Sequence, residues 1–517
     1  MSPGRSDFDS VTLEIHWTRL ISMVDEAAAT FRRTSFSTLV REANDFAVVL
    51  TDELGRSLAQ SSLSIPSFIG TLPETVKHFL GKFPASTLKP DDYLFTNDPW
   101  LGTGHVYDVS GAMPIFHRGR LVGFAAVVSH MPDIGGRIWG PGARDIYEEG
   151  MQLPLMKLLR AGVPDTSIIE IIEQNVRVPE QTMGDLWGQI AACRMLVEGL
   201  NTFLDETGVK LAALGAELRK RSEAAMRAAI KQVPDGEYHH VVQHDGFEHP
   251  ITIDCTVRIK GTALAIDYTG SSAQIDRAVN VVPVYTFAYS AYAVKAILEP
   301  EVPNNEGSFQ PMQTWAPAGT VLNPRYPAAT GGRGMIGHML PPAIMGALSE
   351  VLPDRVWAEG SSNCSFSLNG EWQGRRYSVI NFSNAGQGAT SKRDGFSVLS
   401  FPSNLGNNPI EVMETLQPIL VHHRRLRKGS GGKGDFCGGD GQSLKFQFCG
   451  DQPATVSFMA TRRKIPARGS NGGGDAKRAR VTVNGKPIDY TQQYTLTAGD
   501  LITLETGGGG GRNLNSD

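Results

Sequence analysis

The sequence predicts an α+β protein: antiparallel β-sheets and hairpins with segregated helices, in several closely packed subdomains. Three observations carry this. Long helical periodicities stand apart from period-two stretches instead of alternating with them, the pattern of segregated layers. Several period-two runs are joined by short turns, the mark of hairpins. Glycine is abundant, 57 of 517 residues, above the usual share of about 7%, which favours turns and strands over helical bundles. At roughly 150 residues per domain the length suggests about three units. The pattern places them at 1–233, an N-terminal α+β domain; 234–300, an antiparallel β subdomain with a following helix; and 301–517, a glycine-rich C-terminal region.

Residues 10–36 have helical spacing, with Leu13, Trp17, Leu20, Ile21 and Val24 recurring at threes and fours. DFAVVLTDELGRSLAQ, from Asp45 to Gln60, reads as strand, turn at Gly55, strand. A short helix is expected over 71–83, and a hairpin over 106–130, where VSGAMPIF and LVGFAAVVS flank the turn HRGR at 117–120. Residues 165–232 are mostly helical, with Gly199 and Gly208 as interruptions. After Pro234–Gly236 the period drops to two, and GEYHHVVQHDGF, ITIDCTVRIKG and TALAIDYTG read as successive antiparallel strands. A buried helix is expected over 283–299. From Pro303 onward strands shorten, and 430–517 reads as glycine-rich loops between them.

Composition narrows the class. Basic residues number 49 and acidic residues 53, a net charge of −4. This balance gives no general electrostatic reason to seek nucleic acid or an acidic membrane surface. Cys193, Cys255, Cys364, Cys437 and Cys449 lie far apart and form no CxxC pair. An odd set of separated thiols suits a reducing compartment. The opening MSPGRSDFDS carries acids where a secretory signal needs basic and then apolar residues. The greasiest stretch, 278–298, is broken by Asn280, Pro283, Ser290 and Lys295, against a membrane span. The expectation is a cytoplasmic protein.

The densest cluster of metal-capable groups is NDPWLGTGHVYD followed by SHMPDIGG. His105 and Asp108 are three apart, as are His130 and Asp133. With Arg118 and Gly119 as a two-residue loop, His117 pairs with Arg120 and His130 falls opposite Tyr107, between His105 and Asp108. An ideal pleat points positions 105 and 108 to opposite sides. A shared site therefore needs a bent chain near Gly102 and Gly104, which glycine permits. Neutral imidazoles with carboxylates suit Mn, Fe or Zn. Such an ion polarises a carbonyl or lowers the pKa of a bound water to roughly 7. The plainer alternative is that one histidine caps a strand and the aspartates cap turns.

Other features read as structural. The run GGGGG at 507–511 and GSGGKGDFCGGDG at 429–441 resemble phosphate cradles, but Lys433 is followed by Gly434 where a P-loop needs a hydroxyl residue. The basic runs HHRRLRK at 422–428 and RRK at 462–464 read as solvated faces. His239 and His240, adjacent on a strand, point opposite ways. There is no GxSxG elbow, and no cysteine shows a sign of activation.

The chain resembles the hydantoinase B/oxoprolinase family, the B-type subunits of ATP-dependent hydantoinases, oxoprolinases and related carboxylases. The likeness is carried by REANDFAVVLTD (41–52), NDPWLGTGHVYDVSGAMPIF (97–116), GFAAVVSHMPDIGG (123–136), DIYEEGMQLP (145–154) and NVRVPEQTMGDLWGQIAAC (175–193). It continues through VPNNEGSFQP (302–311), PAGTVLNPRYPAATGG (317–332) and DLITLETGGGGG (500–511). The resemblance implies a metal held by Asp45, His105, Asp108 and His130. It implies an A-type partner subunit that uses ATP to activate a cyclic amide, or a ketone in the carboxylase branch, as a phosphorylated species. The B-type subunit then completes hydrolysis or carboxylation. The expected assembly is a hetero-oligomer acting on a small molecule, with a divalent transition metal here and ATP at the partner.

Three departures from the family pattern stand out. Met131 follows His130 where two adjacent histidines are common, Gln152 stands where arginine is common, and FPSNLGNNP (401–409) lacks the usual histidine. For proton transfer, Asp133 and Glu149 are the nearest carboxylates of the matching motifs. Asp133 could instead orient His130 or cap the Gly135–Gly136 turn, and Glu149 could instead be structural. The leading expectation is the metal-bearing subunit of an ATP-dependent hydrolase of a hydantoin, lactam or oxoproline-like ring. The ketone-carboxylase subunit is the alternative, and a non-catalytic scaffold a third.

Overall fold

The computed structural model describes residues 8–514. The first seven residues, part of the acidic opening read above, and the last three lie outside the described residues. The fold is α+β, with four sheets and helices segregated against them.

The first sheet has seven strands, in the order Ser57–Gln60, Phe46–Asp52, Arg120–His130, Asp108–His117, Tyr93–Thr96, Met156–Arg160, Val163–Pro164. All its pairings are antiparallel. Both faces are covered. Val48, Leu50, Ala125 and Val127 pack under the helices Ser10–Thr34 and Pro179–Thr207, while Ala47, Val49, Ala126 and Val128 meet the helix Thr71–Lys82 on the other side. Two-sided burial is why these strands read as unbroken apolar runs and not as alternation. Asp9 starts the first helix by accepting from the N–H groups of Val11 and Thr12. Gly208, at φ 65°, ends Pro179–Thr207. Gly199, read as an interruption, lies inside that helix, where its bare face admits Met23 of the neighbouring helix.

The second sheet runs Met312–Trp315, Ala263–Asp267, Ile251–Lys260, Gly236–His244. Residues along Ile251–Lys260 alternate between buried and more open, the signature of a sheet with one covered face. The helices Pro283–Leu298 and Leu340–Ala347 form that cover. The pairing of Ala263–Asp267 with Met312–Trp315 is parallel, an exception to the antiparallel expectation; a long crossover containing Pro283–Leu298 connects them.

The remaining two sheets stack as a sandwich. Phe366, Val456 and Phe458 of one face Leu444, Phe446 and Ile502 of the other, with the Phe366 and Phe446 rings stacked at 4.9 Å. Ile380 and Phe382 leave this sandwich and join the apolar layer of the first sheet, which ties the C-terminal region to the N-terminal hairpin.

The glycine run at 507–511 is not a surface loop. Residues 507–511 are buried in extended backbone, with Gly509 donating to Gly439 O and accepting from Gly432 N, and Gly510 donating to Glu359 O. A Cβ on Gly509 would stand 1.9 Å from Gln387 O. These glycines are retained because backbone packs on backbone there. Such packing satisfies the peptide groups internally and leaves no cradle for phosphate.

Candidate metal centre

The site is built at the end of three adjacent strands. In the hairpin Asp108–His117/Arg120–His130, His117 pairs with Arg120 as expected, but the register slips by one between Ile115 and Phe116. His130 therefore pairs with Asp108 and not with Tyr107. Directly paired residues share a face, so the slip aligns what an ideal hairpin would have staggered. On the other side of His130, Phe46 pairs with Ser129, and His130 N donates to Asp45 O at 3.1 Å. Asp45, His130 and Asp108 thus lie abreast across three strands.

His105 arrives from the preceding loop. Residues 97–107 form turns, with Gly104 at φ 111°, so the chain is bent as the shared site requires. The Gly104 position lies against Arg333, where a Cβ would stand 2.9 Å from Nε. All four candidate ligands are buried and line one cavity of about 70 Å³.

The hydrogen bonds assign the imidazole tautomers. His130 Nδ1 lies 2.8 Å from Met131 O; a carbonyl only accepts, so Nδ1 carries the proton and Nε2 offers a lone pair. That Nε2 is buried and has no hydrogen-bond partner. His105 Nδ1 likewise faces Gly331 O at 2.9 Å, and its Nε2 lies 2.8 Å from Asp108 Oδ1. Burial and the neighbouring His105 push the His130 pKa down to about 3; burial and Arg333 lower that of His105. In a neutral His105, two electron pairs then confront one another across 2.8 Å, an arrangement that calls for a positive charge between or beside them.

The carboxylates tell the same story. Burial, reinforced by Asp108, raises the Asp45 carboxyl well above its ordinary range. Burial would raise Asp108 too, but Arg333 and His105 hold it well below the usual carboxylate value. Arg333 Nη2 sits 2.5 Å from Asp108 Oδ2, which also accepts from Thr103 Oγ1 at 2.7 Å. Two buried imidazole nitrogens and two buried carboxylates are the donor chemistry of a first-row divalent ion. Among the described residues no three of these groups already stand as a ligand cluster; holding an ion requires the His105–Asp108 contact to open into two ligand bonds. On donor chemistry, and on the orphaned His130 Nε2, the residues fit a metal.

Asp133 and Glu149, the proton-transfer candidates, do not line this cavity. Asp133 Oδ2 accepts from Gly135 N and Arg177 N, and Oδ1 pairs with Arg177 Nη1 at 2.6 Å. It caps the turn after His130. Glu149 Oε1 accepts from the N–H groups of Thr330 and Gly331, at 2.7 and 2.5 Å. Gly331 O in turn accepts from His105 Nδ1 and Trp139 Nε1. Glu149 therefore supports the loop that orients His105.

Sequence reasoning missed Arg333 and His338, both buried in the cavity wall. Arg333 stands one residue beyond the quoted stretch 317–332, and no spacing links it to Asp108, 225 positions away. Two of the departures are now placed. Met131 is buried in the core beneath the site, and Ser403 and Leu405, from the altered 401–409 segment, line the cavity.

With this geometry in hand, a sequence model of the hydantoinase B/oxoprolinase family matches residues 9–512. The chain belongs to that family. It is 27% identical to the caprolactamase subunit beta of Pseudomonas jessenii over 97% of this chain and 90% of that one. The crystal structure of the ATP-dependent caprolactamase from the same organism superposes with a TM-score of 0.89 at 26% identity, covering 98% of this chain and 91% of that chain. The 5-oxoprolinase of Dictyostelium discoideum is 28% identical over 98% of this chain, which spans 40% of that longer protein. A nucleotide-free acetone carboxylase shares the fold, with a TM-score of 0.89 at 20% identity over 98% of this chain and 76% of that chain. No described helix is long and apolar enough to cross a membrane.

Proposed function

We propose that this family member is the metal-bearing B subunit of an ATP-dependent cyclic-amide hydrolase. Its A-type partner would use ATP to phosphorylate the amide oxygen, and this chain would complete ring opening. The observation that carries the reading is the row Asp45–His130–Asp108 with His105 beside it, facing one cavity, in a chain similar along nearly its whole length to a caprolactamase subunit.

The chemistry explains the division of labour. An unactivated lactam resists water; phosphorylating its oxygen would make the ring carbon electrophilic, so that water adds to it, the C–N bond breaks to free the amine, and a second water cleaves the resulting acyl phosphate to carboxylate and phosphate. Asp45, His105, Asp108 and His130 would hold the ion, which when bound supplies Lewis acidity at neutral pH. Arg333 places a fixed positive charge beside Asp108, where oxygen charge develops during attack on the ring carbon. The Glu149–Gly331 link keeps His105 in the tautomer whose Nε2 faces the cavity. Trp139, Phe382 and Leu405 exclude bulk water from the reacting face.

The test is reconstitution with the partner, ATP, and a panel of cyclic amides and ketones, with and without bicarbonate. ATP-dependent ring opening that needs no bicarbonate is the expected result. Bicarbonate-dependent carboxylation of a ketone would replace this reading with the carboxylase one. ATP turnover by the partner that is indifferent to His130→Ala would point to a scaffold.

A further inference from the structure

Arg333 and His338 flank the turn Gly334–Gly337 and line the same cavity, with only 4% and 6% of their surface exposed. Each brings donors that the protein does not use. Asp108 takes the Nη2 end of the Arg333 guanidinium, while Nε is buried with no partner. Burial and Arg333 push the His338 pKa down to about 3, so its ring is neutral. Ser362 Oγ lies 2.6 Å from His338 Nδ1 and makes no other hydrogen bond among the described residues. The hydroxyl proton has Nδ1 as its one acceptor, so Nε2 carries the ring proton. That N–H has no partner among the described residues. Gly334, where a Cβ would stand 3.4 Å from Nε2, leaves it uncovered. Ser362 is itself held by the glycine-packed interior. Its carbonyl accepts from Ala385 N, and the neighbouring Ser361 donates to Gly386 O and Gly508 O.

We propose that Arg333 and His338 form the subsite for the phosphoryl oxygens of the activated substrate, with His338 Nε2 donating to one of them. This rests on the proposed function above, in which a phosphorylated amide reaches this chain. Charge balance supports it. A divalent ion is matched by Asp45 and Asp108, which leaves the charge of Arg333 over in a buried wall. An unpaired buried charge is strongly disfavoured. A phosphoryl group supplies the missing anion, and guanidinium N–H groups bind its oxygens with short, charge-assisted hydrogen bonds. The neutral imidazole adds a directed donor without adding charge. The glycine run at 507–511 thereby takes part in the site, because it fixes Ser361 and, next to it, the Ser362 hydroxyl that sets the His338 tautomer.

The test titrates inorganic phosphate, a product of the proposed reaction, into the full chain and follows binding by calorimetry. His338→Leu is expected to weaken phosphate binding roughly tenfold or more, because a buried hydrogen bond to a charged group is lost. His338→Gln, whose side-chain amide still donates, should stay near the parent. Ser362→Ala, a smaller change that releases the tautomer, should fall between the two. Metal content should be equal in every variant, which separates this subsite from the ligand set. In the complex with the ATP-hydrolysing partner, phosphate should inhibit ring opening less in His338→Leu by the same factor. No saturable phosphate binding by the parent, or binding indifferent to both His338→Leu and Ser362→Ala, overturns the subsite; ATP-dependent ring opening by the same complex then leaves the hydrolase reading standing. A complex that opens no cyclic amide overturns that reading, and the subsite's role with it.

Discussion

Arg333 Nη2 and Asp108 Oδ2 meet at 2.5 Å in the buried wall of the cavity, joining residues 225 positions apart in the chain. The pair sets the charge of the site: one guanidinium against Asp108, with Asp45, whose carboxyl burial and Asp108 raise, beside them. Removing the cation strands a buried carboxylate. Arg333→Met is therefore expected to lower stability by about 3–5 kcal/mol. Arg333→Lys should recover part of that loss but not the stacking of the planar guanidinium over the Tyr285 ring. Thermal unfolding of the variants checks both, and an Arg333→Met protein as stable as the parent would show that the pair is dispensable.

Metal content follows from the orphaned nitrogen. Purified protein is expected to carry close to one first-row transition ion per chain, and His130→Ala and His105→Ala to carry almost none. Elemental analysis by mass spectrometry decides. Full occupancy in both variants would move the ion elsewhere and remove the basis of the proposed chemistry.

Glu149 acts on the site through Thr330 and Gly331. Deleting its carboxylate should loosen the loop that fixes His105 Nδ1. Glu149→Ala is expected to weaken metal affinity about 10–100-fold. Glu149→Gln, which keeps an acceptor at Oε1, should stay near the parent. A metal titration with a competing chelator reads this directly, and a general-acid role would instead show as lost turnover in both variants at unchanged affinity.

Asp185 supplies a pH dependence remote from the site. Burial pushes its carboxyl up to about 6, against hydrogen bonds from the N–H groups of Phe36 and Ser37. An acid with a higher pKa folded than unfolded holds its proton more tightly in the fold. Its contribution is thus fully present below pH 3.8 and is lost as pH rises through about 6. Relative to Asp185→Asn, the parent should lose on the order of 2–3 kcal/mol between pH 4 and pH 6.5. Unfolding temperatures measured across that window, with both proteins changing in parallel, would remove Asp185 as the cause.

Gly509 tests the backbone-packed interior. Its missing Cβ would fall 1.9 Å from Gln387 O. Gly509→Ala is expected to cost about 3 kcal/mol or more, while Gly485→Ala, which meets no neighbour but sits at φ 77°, should cost only about 1 kcal/mol. Soluble yield and unfolding temperature separate the two.

The fold class was legible because hydrophobic period is a local property. Leu13, Trp17, Leu20 and Val24 mark a helix wherever it packs, and DFAVVL marks a strand buried on both faces. Part of the candidate site was legible for the same reason, since a hairpin pairs neighbours in sequence. His130 and Asp108 share one; its turn at 118–119 reads directly from the chain. The one-residue slip at Ile115/Phe116, which puts these two directly abreast, does not read there, because a bulge depends on how both strands twist against the layers above and below. Asp45 could be assigned only through family resemblance.

What the chain alone determined was the class of elements and the donor types; at His105 it permitted a bend that the structure then shows. What only the tertiary structure decided was the electrostatics. Arg333, Gly331 and the wall residues Phe382, Leu405 and Met459 come from hundreds of positions downstream, and no sequence interval encodes their distance to Asp108. Charge balance and desolvation at a buried site depend on whichever groups packing brings within a few ångströms, and that is settled only when the sandwich closes over the hairpin.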